Sequence, residues 1–466
     1  MTDLADLSAA SLAKAYATKA LSPVDVAKAV LARIETAEPK LNAMYRIHRE
    51  EALAAAKASE RRWLAGAALS AIDGVTVTVK ENLATAGDPT PVGVPIADMT
   101  PAATDSPVPA RLREAGAVIL GKTTMPDYGM LSAGLSSLHG VTRNPWNLSQ
   151  NPAGSSSGAG AAGAAGYGPL HIGTDIGGSI RLPACHCGLF GLKPSLGRVP
   201  ISPPFMGRVA GPMTRSVKDA AILMTVISRP DLRDFMSLPF EDEDYARGLD
   251  RITVKGLRVG LMTKLGAGLK AEAAVVKAAE AAALALEKAG AIVEPLGSIL
   301  DAKMLDGMCR FFEQRSAADL KKLPAAKRAK LLPYIVQWAT HRADGATADV
   351  LMAAYLQVQA MREQTVRMTH AFDFVISPVA PIITYPAEWH SPTNDPTKAL
   401  EHIPFTLPAN MSEQPAASVP WSYDPKSGMP IGVQVMGRRF DDRGVMRLSR
   451  LLETLRPKQK PWPLIG

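Results

Sequence analysis

Thr174-Asp175-Ile176-Gly177-Gly178-Ser179-Ile180-Arg181 sets two glycines directly before a lone serine. Glycine admits backbone angles that let successive N–H groups converge on one spot. Such a concavity suits a developing negative charge beside a serine hydroxyl. Upstream lies a second glycine/serine cluster, Gly154-Ser155-Ser156-Ser157-Gly158. A nucleophilic serine needs a group to take its proton. Lys80 ends the alternating run Gly74-Val75-Thr76-Val77-Thr78-Val79-Lys80-Glu81. Period-2 patterning puts Val75, Val77 and Val79 on one strand face and Thr76, Thr78 and Lys80 on the other. A lysine at the end of a mostly apolar strand is a candidate for desolvation to a neutral base.

Together these three pieces resemble the amidase signature family. The likeness extends through Ala110-Arg111-Leu112-Arg113-Glu114-Ala115-Gly116-Ala117-Val118-Ile119-Leu120-Gly121-Lys122-Thr123 and Thr142-Arg143-Asn144-Pro145-Trp146. It resumes at Cys187-Gly188-Leu189-Phe190-Gly191-Leu192-Lys193-Pro194 and at Gly428-Met429-Pro430-Ile431-Gly432-Val433-Gln434. The resemblance implies Lys80 as base, Ser155 as a bridging serine after a cis peptide bond, and Ser179 as nucleophile. The oxyanion would then meet the N–H groups of Ile176, Gly177, Gly178 and Ser179. Ser156 would support Lys80, while Asp175 and Arg181 would brace the loop. The stretch around Met125, Tyr128, Met130, Leu131 and Leu135 would line an apolar acyl pocket. Phe311, Phe312, Tyr334 and Trp338 are candidates for its entrance. The chain departs from the family pattern at Gln150, Asn151, Ala153 and Ser157, which bears on how tightly the loop closes around Ser155.

The implied fold is α/β, an amidase signature fold with a central mixed β-sheet covered by helices on both faces. One domain over residues 1–466 is expected. Helices occupy 1–70, the catalytic core spans 71–235 and 370–466, and a more variable helical region at 240–370 shapes the entrance. Local signals agree with alternating strands and helices. Ser22-Pro23-Val24-Asp25 starts the second of two opening helices. Ser106-Pro107 starts another, leading to a strand at Ala117–Leu120. The glycine/alanine run at 158–168 reads as a tightly buried helix. Helices are expected over Val275–Gly290, Leu300–His341 and Thr347–Phe372, the last two separated by Asp344-Gly345. Strands are expected at Ala291–Pro295, Phe374–Ser377 and Ile431–Met436, with a last helix at Asp441–Leu455.

Of the 466 residues, 52 are basic and 44 acidic, a net charge of +8. The one local basic cluster, Lys321, Lys322, Lys327, Arg328 and Lys330, reads as a solvated helix face rather than a nucleic-acid patch. Three cysteines fit a reducing compartment. Cys185-His186-Cys187 reads as small buried residues behind the serine loop, because adjacent ligands crowd a metal. No cofactor and no metal are expected. The implied partners are a small amide-type substrate and at most a second copy as a homodimer, with no nucleic acid and no membrane. The N-terminus has no leader pattern, and no apolar run reaches membrane length. The reading is therefore cytoplasmic.

Four other patterns compete. Gly116–Thr123 fits a phosphate-binding loop, but its centre reads as a strand. Gly158–Gly163 fits a dinucleotide fingerprint, but no strand precedes it. Ser156 sits at the centre of a nucleophile-elbow pattern and would need His370, His390 or His402, as in an α/β-hydrolase esterase. Ser11 and Lys14 mimic a serine-lysine pair on a terminal amphipathic helix. The favoured reading is hydrolysis of a carbon–nitrogen bond, amide, hydrazide or ureido, through Lys80, Ser155 and Ser179 and an acyl-serine intermediate. The alternative is the ammonia-producing component of a glutamine-dependent amidotransferase. The scattered charge and the lack of a docking extension count against it.

Overall fold

A computed structural model describes residues 3–343 and 345–465. An eleven-stranded mixed sheet runs through it. Its order is Met44–Ile47, Val118–Thr123, Thr76–Lys80, Leu170–Asp175, Val209–Thr214, Phe190–Lys193, Ala416–Tyr423, Pro430–Gly437, Phe374–Pro378, Arg258–Leu261 and Ile292–Pro295. The Thr76–Lys80 strand runs parallel to both of its neighbours, with Val77 opposite Leu170 and Val79 opposite Ile172. The middle of the sheet is antiparallel, and Asp175 sits opposite Val209. Parallel pairs need crossovers, which supply the helical cover.

Every residue of Thr76–Lys80 is buried. Its polar face is therefore an interior surface rather than a solvated one. Thr78 Oγ1 pairs there with His171 Nδ1 at 2.8 Å, and Lys80 projects from the strand's end. The glycine/alanine run forms a helix, Ser157–Ala165, with no exposed residue. Glycine is needed at 158 because an added Cβ would lie 2.2 Å from Ala43 O and 2.5 Å from Thr124 N.

The opening helices are Ala9–Ala17 and Pro23–Leu41, the second capped by Ser22 Oγ on Val24 N–H at 3.0 Å. A short strand, Met44–Ile47, which was not expected, and a third helix, Arg49–Leu64, within the helical segment expected over 1–70, follow. The helix anticipated across 300–341 is three: Ala302–Lys321, Ala325–Arg328 and Pro333–Thr340. Pro324 and Pro333 break it, since proline lacks the N–H and its ring clashes with the preceding turn. The final long helix of this region is Ala348–Thr369. Of the expected boundary Asp344-Gly345, Asp344 lies outside the described residues.

The competing patterns resolve structurally. Gly121 and Lys122 lie within a buried strand, and Lys122 Nζ is bound to Leu83 O and to Thr85 Oγ1. The dinucleotide pattern falls inside the buried Ser157–Ala165 helix. Ser11 and Lys14 are exposed on the first helix. Four of the five clustered basic side chains are exposed and Arg328 is half-buried, as expected for a solvated face. Among the described residues, no helix is long and apolar enough to cross a membrane.

Replacing Gly158 with alanine should cost about 1–3 kcal/mol, because the new methyl meets backbone on both sides. Urea denaturation followed by circular dichroism should show a lower midpoint with an unchanged slope.

Candidate active site

Three chain segments meet at Lys80. Its amine is buried, 2.9 Å from Ser155 Oγ, 3.0 Å from Ser156 Oγ and 3.0 Å from Thr174 Oγ1. Ser156 Oγ donates to Thr174 O and accepts from Thr174 N–H, both at 3.2 Å. Its proton is therefore spent, and it can only accept from Lys80. Thr174 Oγ1 also receives Asn82 Nδ2 at 3.1 Å. A neutral amine has two N–H groups and one lone pair. Directing the N–H groups at Ser156 and Thr174 leaves the lone pair for the Ser155 hydroxyl. Burial holds the Lys80 pKa well below the usual lysine value. The Arg208 charge pushes the same way, while Asp175 and Glu81 oppose it.

Ser155 follows a cis Gly154–Ser155 peptide bond. Gly154 has no room for a Cβ, which would stand 2.6 Å from both Ala133 N and Ala133 O. Ala153 takes a left-handed φ of 60°. Asn151 holds that turn: its Oδ1 accepts from Ala153 N–H and Gly134 N–H, each at 3.0 Å. Its Nδ2 donates to Ala387 O at 3.0 Å and Trp389 O at 3.1 Å. The departure from the family pattern at Asn151 is thus a clasp joining the serine loop to the C-terminal part of the chain. Gln150 accepts from Thr384 Oγ1 at 2.9 Å and adds to the same seam.

The Ser179 loop is shaped by Asp175. Its carboxylate receives Gly178 N–H at 2.7 Å, Ile180 N–H at 3.1 Å and Arg181 N–H at 3.4 Å. Gly178 is therefore not a free donor, which removes it from the expected oxyanion set and leaves Ile176, Gly177 and Ser179. Arg181 is buried and uses all five N–H groups. Nε and Nη2 reach Asp175 at 3.0 Å each. Nη1 reaches Thr406 O at 2.8 Å and Gln434 Oε1 at 2.7 Å, and Nη2 reaches Asn410 Oδ1 at 2.5 Å. Desolvation of Asp175 is outweighed by the Arg181 charge and these hydrogen bonds, which hold its pKa well below the ordinary carboxylate value.

Ser155 and Ser179 line one cleft of about 440 Å³. Among the described residues no hydrogen bond joins their hydroxyls. Met125, Tyr128 and Met130 line the same cleft. Leu131 instead lines a small adjoining recess with Ser179, Phe312 and Trp338. Leu135 is a correction: it is buried, pairs with Val141 in a two-stranded hairpin whose other strand is exposed at Gly140, and is absent from the lining of the cleft. Phe312 reaches the cleft, but Phe311 packs against Phe312 and Tyr355, and the Tyr334 hydroxyl is bound to Ser391 and Asp395. Asn82, Thr174, Arg208 and Arg315 were not anticipated. Only Thr174 carried a signal, as the first residue of the stretch that exposed Ser179.

Among the described residues no histidine bonds Ser156, whose partners are Lys80 and Thr174. His390 is stacked on Tyr334, and His370 caps the Ala348–Thr369 helix. His402 is buried, and desolvation brings its pKa down to about 3. The nucleophile-elbow reading therefore has no histidine base among the described residues. Cys185, His186 and Cys187 lie in a buried helix, Arg181–Cys187. No cluster of metal-ligating side chains occurs among the described residues.

The family model for Amidase matches residues 25–446. Among curated proteins, the chain is 34% identical to the A component of a glutamyl-tRNA(Gln) amidotransferase from Nitratidesulfovibrio vulgaris, covering 98% of each. It is 34% identical to the component of the same name from Geobacter metallireducens, covering 97% of each. Among solved structures, a bacterial aryl acylamidase superposes with a TM-score of 0.88 at 28% identity, over 96% of both chains. The 6-aminohexanoate cyclic dimer hydrolase gives 0.88 at 27% identity, over 100% of both. The native peptide amidase of Stenotrophomonas maltophilia gives 0.83 at 25% identity, over 99% of both. With its glycine-serine loops and buried lysine on a mixed sheet of this kind, the chain belongs to the amidase signature family of hydrolases acting on carbon–nitrogen bonds.

Proposed function

We propose that this chain cleaves an amide C–N bond through a covalent acyl-Ser179 intermediate. The observation that carries the reading is a buried lysine amine 2.9 Å from Ser155 Oγ, in a cleft that Ser179 also lines. Ser179 Oγ attacks the carbonyl carbon and passes its proton to Ser155, which passes its own to Lys80. The oxyanion meets the N–H groups of Ile176, Gly177 and Ser179. As the C–N bond breaks, Ser155 returns a proton to the departing nitrogen and recovers one from Lys80. Water then attacks the ester by the same relay, releasing the acid and free Ser179. The hydroxyl-to-hydroxyl link closes when substrate binds, as catalytic hydrogen bonds often tighten only then.

Sequence likeness favours a second reading over a stand-alone hydrolase. The curated relatives above are amidotransferase components at 34% identity, against 25–28% for the solved hydrolases. The chain covers 98% of such a component, so the lack of a docking extension no longer counts against that role. On this reading the same relay releases ammonia for a protein partner. Turnover of simple amides by the purified chain alone supports the hydrolase. Turnover only with a partner supports the amidotransferase role.

Lys80→Met should lower kcat/KM by roughly 10²–10⁴-fold, the usual worth of a general base. Intact-mass spectrometry should show an acyl adduct on the wild type and none on Ser179→Ala. Near-native activity in Lys80→Met would remove the proposed base.

The pH profile follows from the Lys80 environment. Only the neutral amine accepts a proton, so activity should fall on the acid side through a pKa well below 10.5. Asp175 and Glu81 raise that pKa and Arg208 lowers it. Arg208→Met removes a neighbouring positive charge, so it should move the acid limb to higher pH.

A further inference from the structure

The Ala348–Thr369 helix is apolar on two faces. One face, with Ala354, Val358 and Met361, is buried. It lies tight against the Ala302–Lys321 helix, where an added Cβ on Gly307 would stand 2.3 Å from Gln357 Cβ and 3.1 Å from Ala354 O. The other face carries Leu351, Met352, Tyr355, Leu356 and Val366, between 36% and 57% exposed. Of the 18 large apolar side chains exposed among the described residues, five therefore sit on this one helix. A helix that is apolar all round is normally covered all round, and a clustered exposed apolar patch marks an interaction surface.

The charges on the same helix indicate what covers it. Asp349 stands in its first turn and Arg367 in its last. Both are exposed, and neither enters an ion pair among the described residues. Eighteen residues, five helical turns, separate them, which puts both on one side of the helix. Met352, Leu356, Gln359 and Val366 recur at three-, four- and seven-residue spacing and form the stripe beside them. Suppose this helix lies antiparallel on a second copy of itself, with the two-fold axis near Gln359. Each Asp349 then meets the other copy's Arg367, Met352 meets Val366, and Leu356 meets Ala360. In a parallel pair Asp349 would face Asp349 and Arg367 would face Arg367, and like charges repel. The stripe is thus complementary to itself in one orientation, as an isologous two-fold contact requires.

We propose that this face docks a second copy of the chain, giving a two-fold dimer closed by antiparallel pairing of the Ala348–Thr369 helices. None of its residues lines the Ser155–Ser179 cleft, so dimer formation is tested separately from amide cleavage.

Sedimentation velocity on the full chain should reveal a species of twice the 49.4 kDa monomer mass. Met352→Glu combined with Leu356→Glu should return it to monomer with an unchanged circular dichroism spectrum. Asp349→Arg or Arg367→Asp alone should raise the dimer dissociation constant roughly 3–30-fold, because two symmetric ion pairs break, and the two together should restore it. In a Cys309→Ser background, Gln359→Cys should form an interchain disulfide under mild oxidation. Glu280→Cys, exposed on the Ala273–Lys288 helix, should not. A wild type that stays monomeric as its concentration is raised overturns the proposal and leaves this face to a different protein. A dimer that survives the two glutamates, or that cross-links no better at 359 than at 280, overturns it by placing the contact elsewhere. Should the glutamate variant fail to fold, the charge reversals decide: loss with each and recovery with both support the antiparallel pair, and indifference rejects it.

Discussion

Asp175 and Arg181 form a fully buried ion pair, and the Ser179 loop takes its shape from it. Removing two charges from water is costly, and their attraction repays the cost only when every remaining donor and acceptor is also satisfied. Here that condition is met. Arg181 has five N–H groups and five acceptors within reach. Asp175 gathers three backbone N–H groups of the turn that presents Ser179. Its geometry thus dictates which peptide groups are tied down and which point into the cleft.

The second constraint is the complete burial of Lys80. A lysine in solvent is a cation and no base at neutral pH. In this fold the amine ends a strand flanked on both sides by parallel neighbours, under a helix made almost wholly of glycine and alanine. Small residues let that helix lie close enough to shut solvent out. The partners of the amine are hydroxyls. They are weaker partners for an ammonium than a carboxylate is, so the balance favours the uncharged form.

Much of this was readable in the chain because the relevant patterns are local. A glycine pair before a serine, a strand ending in lysine and a run of tiny residues each declare a backbone geometry. Asn82, Arg208 and Arg315 declared nothing. Their significance arises only when distant segments converge, and in the sequence the two arginines are indistinguishable from scattered surface charge. Leu135 failed for the opposite reason: an apolar residue near a pocket and one in the core look alike until packing separates them. The division of 300–341 into three helices was signalled by Pro324 and Pro333. The Met44–Ile47 strand is too short for periodicity to reveal.

Thr406, Asn410 and Gln434, which complete the Arg181 cage, all come from the last part of the chain. A growing polypeptide therefore carries Ser155 and Ser179 long before it carries the groups that fix Arg181. Synthesis delivers the Ser179 loop early and its support late. On the proposed mechanism, competence waits until these C-terminal segments have docked, and a prematurely terminated chain would be inert rather than half-active.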